Sequence, residues 1–193
     1  MLLTNLAGRK IILASKSPRR MELLKGLEVE FEVRGTDVEE IYPPALHREE
    51  VPRYLSRLKA ESLLSSLGYD DVLITADTIV YLDGKVVEKP LDEPDAERML
   101  SELSNKKHTV ITGVTVVSRG RDLTFHDESD VWFAELKPEE IRHYVERYKP
   151  LDKAGAYGVQ DFIGYMGVER IEGSYFNVMG LPVHRLWKVL RDI

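Results

Sequence analysis

Ile11-Ile12-Leu13-Ala14-Ser15-Lys16-Ser17-Pro18-Arg19-Arg20 is the stretch on which the reading of this chain turns. Four apolar residues suit a short buried strand, and the run breaks off at Ser15, where two hydroxyls, a lysine and two arginines arrive within six positions. Ser17 can N-cap a following helix. Pro18 fits the first helical position, because its missing N–H would have had no partner there in any case. Arg19 and Arg20 then fall in the first turn, where positive charge opposes the helix dipole. Two cations at that end suggest an anion beside them, and a phosphate chain is the candidate. The competing reading from spacing alone is an ordinary strand-turn-helix with solvated arginines.

Working outward, Met21, Leu23, Leu24 and Leu27 give the helix an apolar stripe, with Gly26 near its end. Residues 29–33, Val-Glu-Phe-Glu-Val, alternate as a half-buried strand does and run into Asp37-Val38-Glu39-Glu40. A solvated acidic loop is the ordinary fate of such a string. The sharper reading is a divalent-cation site, since hard ions take oxygen ligands from one or two carboxylates and from phosphate. Tyr54, Leu55, Leu58, Leu63, Leu64 and Leu67 mark an amphipathic helix from about residue 49 to 67. Lys59 shares the face of Leu55 and Leu63, so it either snorkels to water or turns its ammonium toward the ligand of the arginines.

Val72-Leu73-Ile74-Thr75-Ala76 is the cleanest buried-strand candidate, expected to end abruptly at Asp77-Thr78. Ligands of open α/β sheets collect beyond the carboxyl ends of strands, so Asp77 and Ser15 hold equivalent positions on their strands. Residues 79–88 read as a hairpin about Asp83-Gly84, which delivers Lys89, a ligand or an ordinary loop lysine. Ala96, Met99, Leu100 and Leu103 have helical spacing. A β-branched strand over about 110–117, interrupted at Thr112-Gly113, turns at Arg119-Gly120 into an antiparallel partner over about 123–134, so the sheet is mixed. A helix follows Pro138 with His143 off its apolar stripe, and His47, His108, His126 and His184 lack metal-ligand spacing. Residues 150–160 form a glycine-rich ordered loop ending at Gln160. Val183, Leu186, Trp187 and Leu190 mark a last helix closing the core.

At 193 residues the chain fits one domain spanning 1–193, folded as two lobes or not. A net charge of −6 argues against an extended nucleic-acid surface, so stable nucleic-acid binding is not expected. The absence of cysteine removes disulfides, thiolate nucleophiles and cysteine-held metals. No apolar run approaches ~20 residues, and the expectation is a cytoplasmic protein without membrane attachment. Neither a G-x-x-x-x-G-K-[ST] loop nor a G-x-G-x-x-G fingerprint supports a kinase.

Several segments resemble, in order, the Maf family of nucleoside triphosphate pyrophosphatases: Ala14 to Arg20, Val38-Glu39-Glu40, Lys59-Ala60, Ala76-Asp77-Thr78-Ile79-Val80, Glu88-Lys89-Pro90, Leu151 to Gln160, and Gly173-Ser174-Tyr175 through Gly180-Leu181-Pro182. The resemblance implies an α/β fold with a mixed twisted sheet and flanking helices, elongated and two-lobed like the inosine triphosphate pyrophosphatases, with a central cleft. It implies hydrolysis of dTTP and UTP to the monophosphate and pyrophosphate, a house-cleaning reaction with a divalent metal cation (Mg, Mn or Co). Asp77 matches the family's general base. Ser15, Ser17, Arg19, Arg20, Lys59 and Lys89 are expected to bind substrate, Arg20 and Lys89 facing the phosphates and no structural partner. Glu40 is the expected metal ligand, and Arg19, Thr78 and Gln160 the specificity residues. A homodimer is left open. The alternative is a non-catalytic nucleotide-binding regulator linked to cell division, which would need the cations but not Asp77.

Overall fold

The opening strand and helix both form in the computed structural model, which describes residues 2–193. β1 (Ile11–Ala14) is buried along its whole length, and α1 (Pro18–Lys25) follows with Ser17 in the N-cap position. β2 (Glu32–Arg34) departs from expectation: it covers only the end of the alternating stretch, and Val33 is exposed. Among the described residues this strand lies at the sheet edge beside β1, from Ile12↔Glu32 to Ala14↔Arg34; Val29 is buried and Phe31 half-buried, so the alternation in burial fails only at Val33.

α2 (Glu50–Glu61) is shorter than its apolar stripe, and a separate 3₁₀ turn, Leu64–Ser66, takes up the remainder. β3 (Val72–Leu82) runs through Asp77 and Thr78 without a break, contrary to the expected end at that point. The reason lies in relative length. β1 pairs with β3 from Ile11↔Val72 to Ala14↔Thr75 and stops, so Asp77 sits two residues past the last rung while its own strand continues. β4 (Lys85–Val87) returns antiparallel on β3 through Asp83 and Gly84, both at positive φ, as a type I′ turn demands. α3 (Glu93–Leu103) starts at Asp92, whose carboxylate accepts the Asp95 N–H at 2.8 Å.

β5 (Lys107–Ser118) is also uninterrupted. Gly113 marks a close approach instead of a break: a Cβ there would lie 2.3 Å from the Pro52 carbonyl carbon, so only glycine lets α2 settle on this strand. Arg119 and Gly120, again both at positive φ, turn the chain into β6 (Arg121–Phe133). α4 (Pro138–Tyr148) follows, then the ordered loop with a 3₁₀ turn at Ala154–Ala156. α5 (Phe162–Gly167), β7 (Val168–Glu172) and α6 (Tyr175–Met179) had no counterpart in the sequence reading. α7 (Val183–Arg191) ends the described chain with Leu186 and Leu190 fully buried.

The result is a mixed seven-stranded sheet in the order β2-β1-β3-β5-β6-β7, with β4 on β3. The chain forms two compact units. One takes the chain up to Asp77, then Thr112–Asp127 and Gly180–Ile193, with Ile12, Ala14, Ala60 and Leu73 at its core. The other takes Thr78–Ile111 and Glu128–Met179, with Leu100, Leu103, Tyr144 and Ile163 buried. Among the described residues no helix is long and apolar enough to cross a membrane.

Candidate active site

In the first unit, Thr75 and Asp77 lie two apart on β3 and so share a face, which is turned to α2. Thr75 Oγ1 donates to the Ser56 carbonyl at 2.6 Å, and Lys59 Nζ donates to Asp77 Oδ1 at 2.6 Å. Ser56 and Lys59 are three apart, on one side of the helix. Ser56 Oγ shares a hydrogen bond of 3.0 Å with Thr115 Oγ1, which meets Thr124 Oγ1 at 2.9 Å. This buried ladder of small hydroxyls fixes the height of α2 above the sheet, and with it the reach of Lys59. Both members of the Lys59–Asp77 pair are only 6% exposed.

Lys59 Nζ also contacts Glu40 Oε1 at 2.7 Å, so a buried ammonium is bracketed by two carboxylates. Glu40 is itself exposed, so the buried pair is Lys59 with Asp77. Removing one partner of a buried pair typically costs ~3–5 kcal/mol.

Arg20 belongs to the same charge cluster. Burial pushes its guanidinium below the usual arginine range, Asp77 and Glu40 pull it back up, and Arg19 adds to the lowering. It remains a cation throughout the physiological range. Arg20 also has a structural partner, contrary to expectation: its Nε donates to the Gly180 carbonyl at 2.8 Å. A planar five-donor group can hold the backbone on one edge and keep other donors for an anion. Ser15 is buried, and its Oγ accepts the Ser17 N–H at 3.1 Å, closing the turn between β1 and α1. Ser17 occupies the N-cap position, but its side chain makes no capping hydrogen bond.

The acidic string does not form a self-contained metal cage. Asp37 turns to Lys16 at 2.9 Å on the surface, while Glu40 turns inward to Lys59. Among the described residues no group of three or more histidine, aspartate or glutamate side chains is arranged for a metal ion. Glu40 and Asp77 nevertheless converge on one cationic point. The Lys59 ammonium holds that point, so a hard divalent ion would take the exposed Glu40 carboxylate together with phosphate oxygens and water.

The second unit carries the remaining candidates. Thr78 follows Asp77 on β3 and is half-buried, its side chain on the opposite face by strand alternation. Lys89 is exposed in the segment after β4. Gln160 Nε2 donates to Asp161 Oδ1 at 3.0 Å, while Gln160 Oε1 is buried and accepts no hydrogen bond. Asp161 Oδ2 accepts the Tyr144 hydroxyl at 3.1 Å, and that hydroxyl accepts the Gly158 N–H at 3.1 Å. His108 Nε2 and Tyr157 Oη share a hydrogen bond of 2.7 Å, and Tyr157 and Phe133 meet the imidazole edge-on. Burial pushes the His108 pKa down to about 4 against the pull of Asp130, and pushes the Tyr157 hydroxyl up.

The structure therefore brings Arg19, Arg20, Glu40, Lys59 and Asp77 into one electrostatic cluster, and sets Thr78, Lys89 and Gln160 in the other unit. Tyr144, Tyr157, Asp161 and His108 were missed as supports of the Gln160 loop. Asp161 alone had a local signal, as an N-cap residue before α5.

The family described as Maf-like protein matches residues 10–193. A dTTP/UTP pyrophosphatase of Phocaeicola vulgatus is 51% identical over 193 residues, covering 100% of both chains. One from Porphyromonas gingivalis strain W83 is 50% identical, covering 99% of this chain and 98% of its own. Among solved structures, the Staphylococcus aureus Ham1 protein is similar in fold, with a TM-score of 0.50 at 18% identity over 67% of this chain and 74% of that chain.

Proposed function

Because the chain belongs to the Maf-like protein family, we propose that it is a nucleoside triphosphate pyrophosphatase that hydrolyses dTTP and UTP. The observation that carries this reading is Asp77, a carboxylate on a buried strand, bound to a buried lysine and electrostatically coupled to Arg20. A protein that only held nucleotide would need the cations and not that carboxylate.

In the proposed reaction a water oxygen bonds to the α-phosphorus and its proton passes to the Asp77 carboxylate. The bond from that phosphorus to the α,β-bridging oxygen breaks, and pyrophosphate leaves with the electron pair. Lys59 holds Asp77 through Oδ1, which leaves Oδ2 as the oxygen assigned to the water. Negative charge grows on the leaving group, and Arg20 and Lys89 are the cations assigned to it, arginine as a planar fork and lysine as a point charge. Ser15 and Ser17 keep the β1–α1 turn in shape for the phosphates. Glu40 is the residue assigned to hold a divalent cation; Mg, Mn and Co are the candidates. When bound, such an ion would neutralise phosphate charge and polarise the phosphoryl oxygen.

For the base, uracil and thymine present an N3–H donor, and Gln160 Oε1 is a buried acceptor lacking a donor. Cytosine presents a lone pair at N3, so two acceptors would face each other at a cost of ~1–3 kcal/mol. Arg19 and Thr78 share the assignment to the base end. The same reading carries a house-cleaning role in the cytoplasm.

Pyrophosphate release from dTTP, UTP, CTP, ATP and GTP, with and without Mg²⁺, tests it on the wild type and Asp77→Asn. Expected are higher kcat/KM for dTTP and UTP, and a turnover loss of ~10²–10⁴-fold in Asp77→Asn with nucleotide still bound. Nucleotide binding without pyrophosphate release in the wild type would make the protein a regulator instead.

A further inference from the structure

Gln160 on its own is an ambiguous reader. A primary amide can turn over, exchanging a carbonyl acceptor for an NH₂ donor, and so serve either uracil or cytosine. What the structure adds is the neighbour that removes the choice. Gln160 Nε2 donates to Asp161 Oδ1 at 3.0 Å, and an ionised carboxylate only accepts. Turning the amide would set its carbonyl oxygen against that carboxylate. We propose that Asp161 is a positioning residue that sets base specificity, locking Gln160 with Oε1 presented as an acceptor so that the site takes a base with an N3–H and refuses one with an N3 lone pair.

Three further observations support the lock. The Asp161 carboxylate is itself fixed, since Oδ2 accepts the Tyr144 hydroxyl, which is held in turn by the Gly158 N–H. Tyr144 is fully buried on α4, so the chain of bonds is anchored in the core of its unit. Second, Asp161 stands at the N-cap of α5, where an aspartate ordinarily accepts from the helix backbone, yet its side chain makes no capping bond. The carboxylate is diverted to Gln160 and Tyr144. Third, a Cβ at position 158 would lie 2.5 Å from Asp161 Oδ2 and 2.7 Å from Gln160 Nε2, so the two side chains occupy the space that only a glycine leaves. The unpaired, buried Oε1 is the outcome of this arrangement. A buried acceptor without a donor is costly in a resting protein, and the cost is recovered when a donor arrives.

The inference rests on the dTTP/UTP reading, and the test separates the two. It measures kcat/KM for UTP and CTP on the wild type, Asp161→Ala and Asp161→Ser, the serine variant retaining an N-capping hydroxyl for α5 while drawing the acceptor back from Gln160. The expected result is a UTP-to-CTP ratio that falls at least about tenfold in both variants, because the released amide can turn its NH₂ to the cytosine N3. A role in folding alone would lower both substrates together and leave the ratio in place. If Asp161→Ala fails to fold, Asp161→Ser decides. A ratio within twofold of wild type in a folded variant, with the wild type preferring UTP, overturns the lock and leaves the function standing. A wild type that does not prefer UTP over CTP overturns both.

Discussion

A lysine that is 6% exposed and touches two carboxylates is the residue most dependent on its neighbours, and Arg20 is the one whose role is divided. Arg20 bonds the Gly180 carbonyl and couples to Asp77. Arg20→Ala should therefore slow pyrophosphate release and also destabilise the fold by about 1.5–3 kcal/mol, the loss of a hydrogen bond from a charged donor. Urea unfolding beside kcat/KM checks both effects; unchanged stability would mean that the Gly180 bond contributes nothing. His108 yields a pH dependence. Its pKa falls from 6.5 to about 4 on folding, so the unfolded chain binds the extra proton between those values. Stability from this group is complete above pH 6.5 and declines as pH drops toward 4, by on the order of 3 kcal/mol in total. Denaturation midpoints at pH 7.5 and 5 for wild type and His108→Gln test this. The variant should be less stable at pH 7.5, having lost the Tyr157 bond in its native form, and should show a smaller acid decline.

Among elements, the contact of α2 with β5 determines whether Lys59 can reach Asp77. Gly113→Ala would set a methyl group 2.3 Å from the Pro52 backbone, which has no flexible end to move aside. The helix must lift, at a cost of about 1–3 kcal/mol or more. Activity should fall by a larger factor than stability alone explains, because the Ser56 and Lys59 contacts lift with it; equal kcat per folded molecule would sink this account. The sequence made α1 and its two arginines legible because hydrophobic period, capping residue and proline all change together at Ser15. The end of β3 was misread for the opposite reason. Asp77 looks like a strand breaker in sequence, and the lysine that stabilises it lies 18 residues away on a helix. Of the alternating residues 29–33 just the last two join the sheet, at its edge beside β1, and no local pattern records where a strand will sit in its sheet. Lys59, Asp77 and Arg20 were singled out by type and position and the structure brings them together, whereas the His108–Tyr157 bond joins residues 49 apart without any local mark.

At the scale of the whole molecule, one cluster stands against the acidic balance: Arg19, Arg20 and Lys59 lie with two carboxylates, so the cluster keeps a formal excess of one positive charge within a protein of net charge −6. Anions are therefore drawn to one place and not to the surface at large. The order in which the chain supplies this cluster has a further consequence during synthesis. The unit holding Asp77 is assembled from three separate segments, and the last begins at Gly180, the residue whose carbonyl anchors Arg20. The Asn5 side chain likewise waits for the Leu190 and Ile193 carbonyls, each at 2.8 Å. The other unit draws on nothing beyond Met179. On the ribosome, then, the part carrying Gln160 has all of its own chain first. The part carrying Asp77 stays short of its last helix until α7 leaves the exit tunnel, so a half-made chain cannot hold Arg20 in its final geometry.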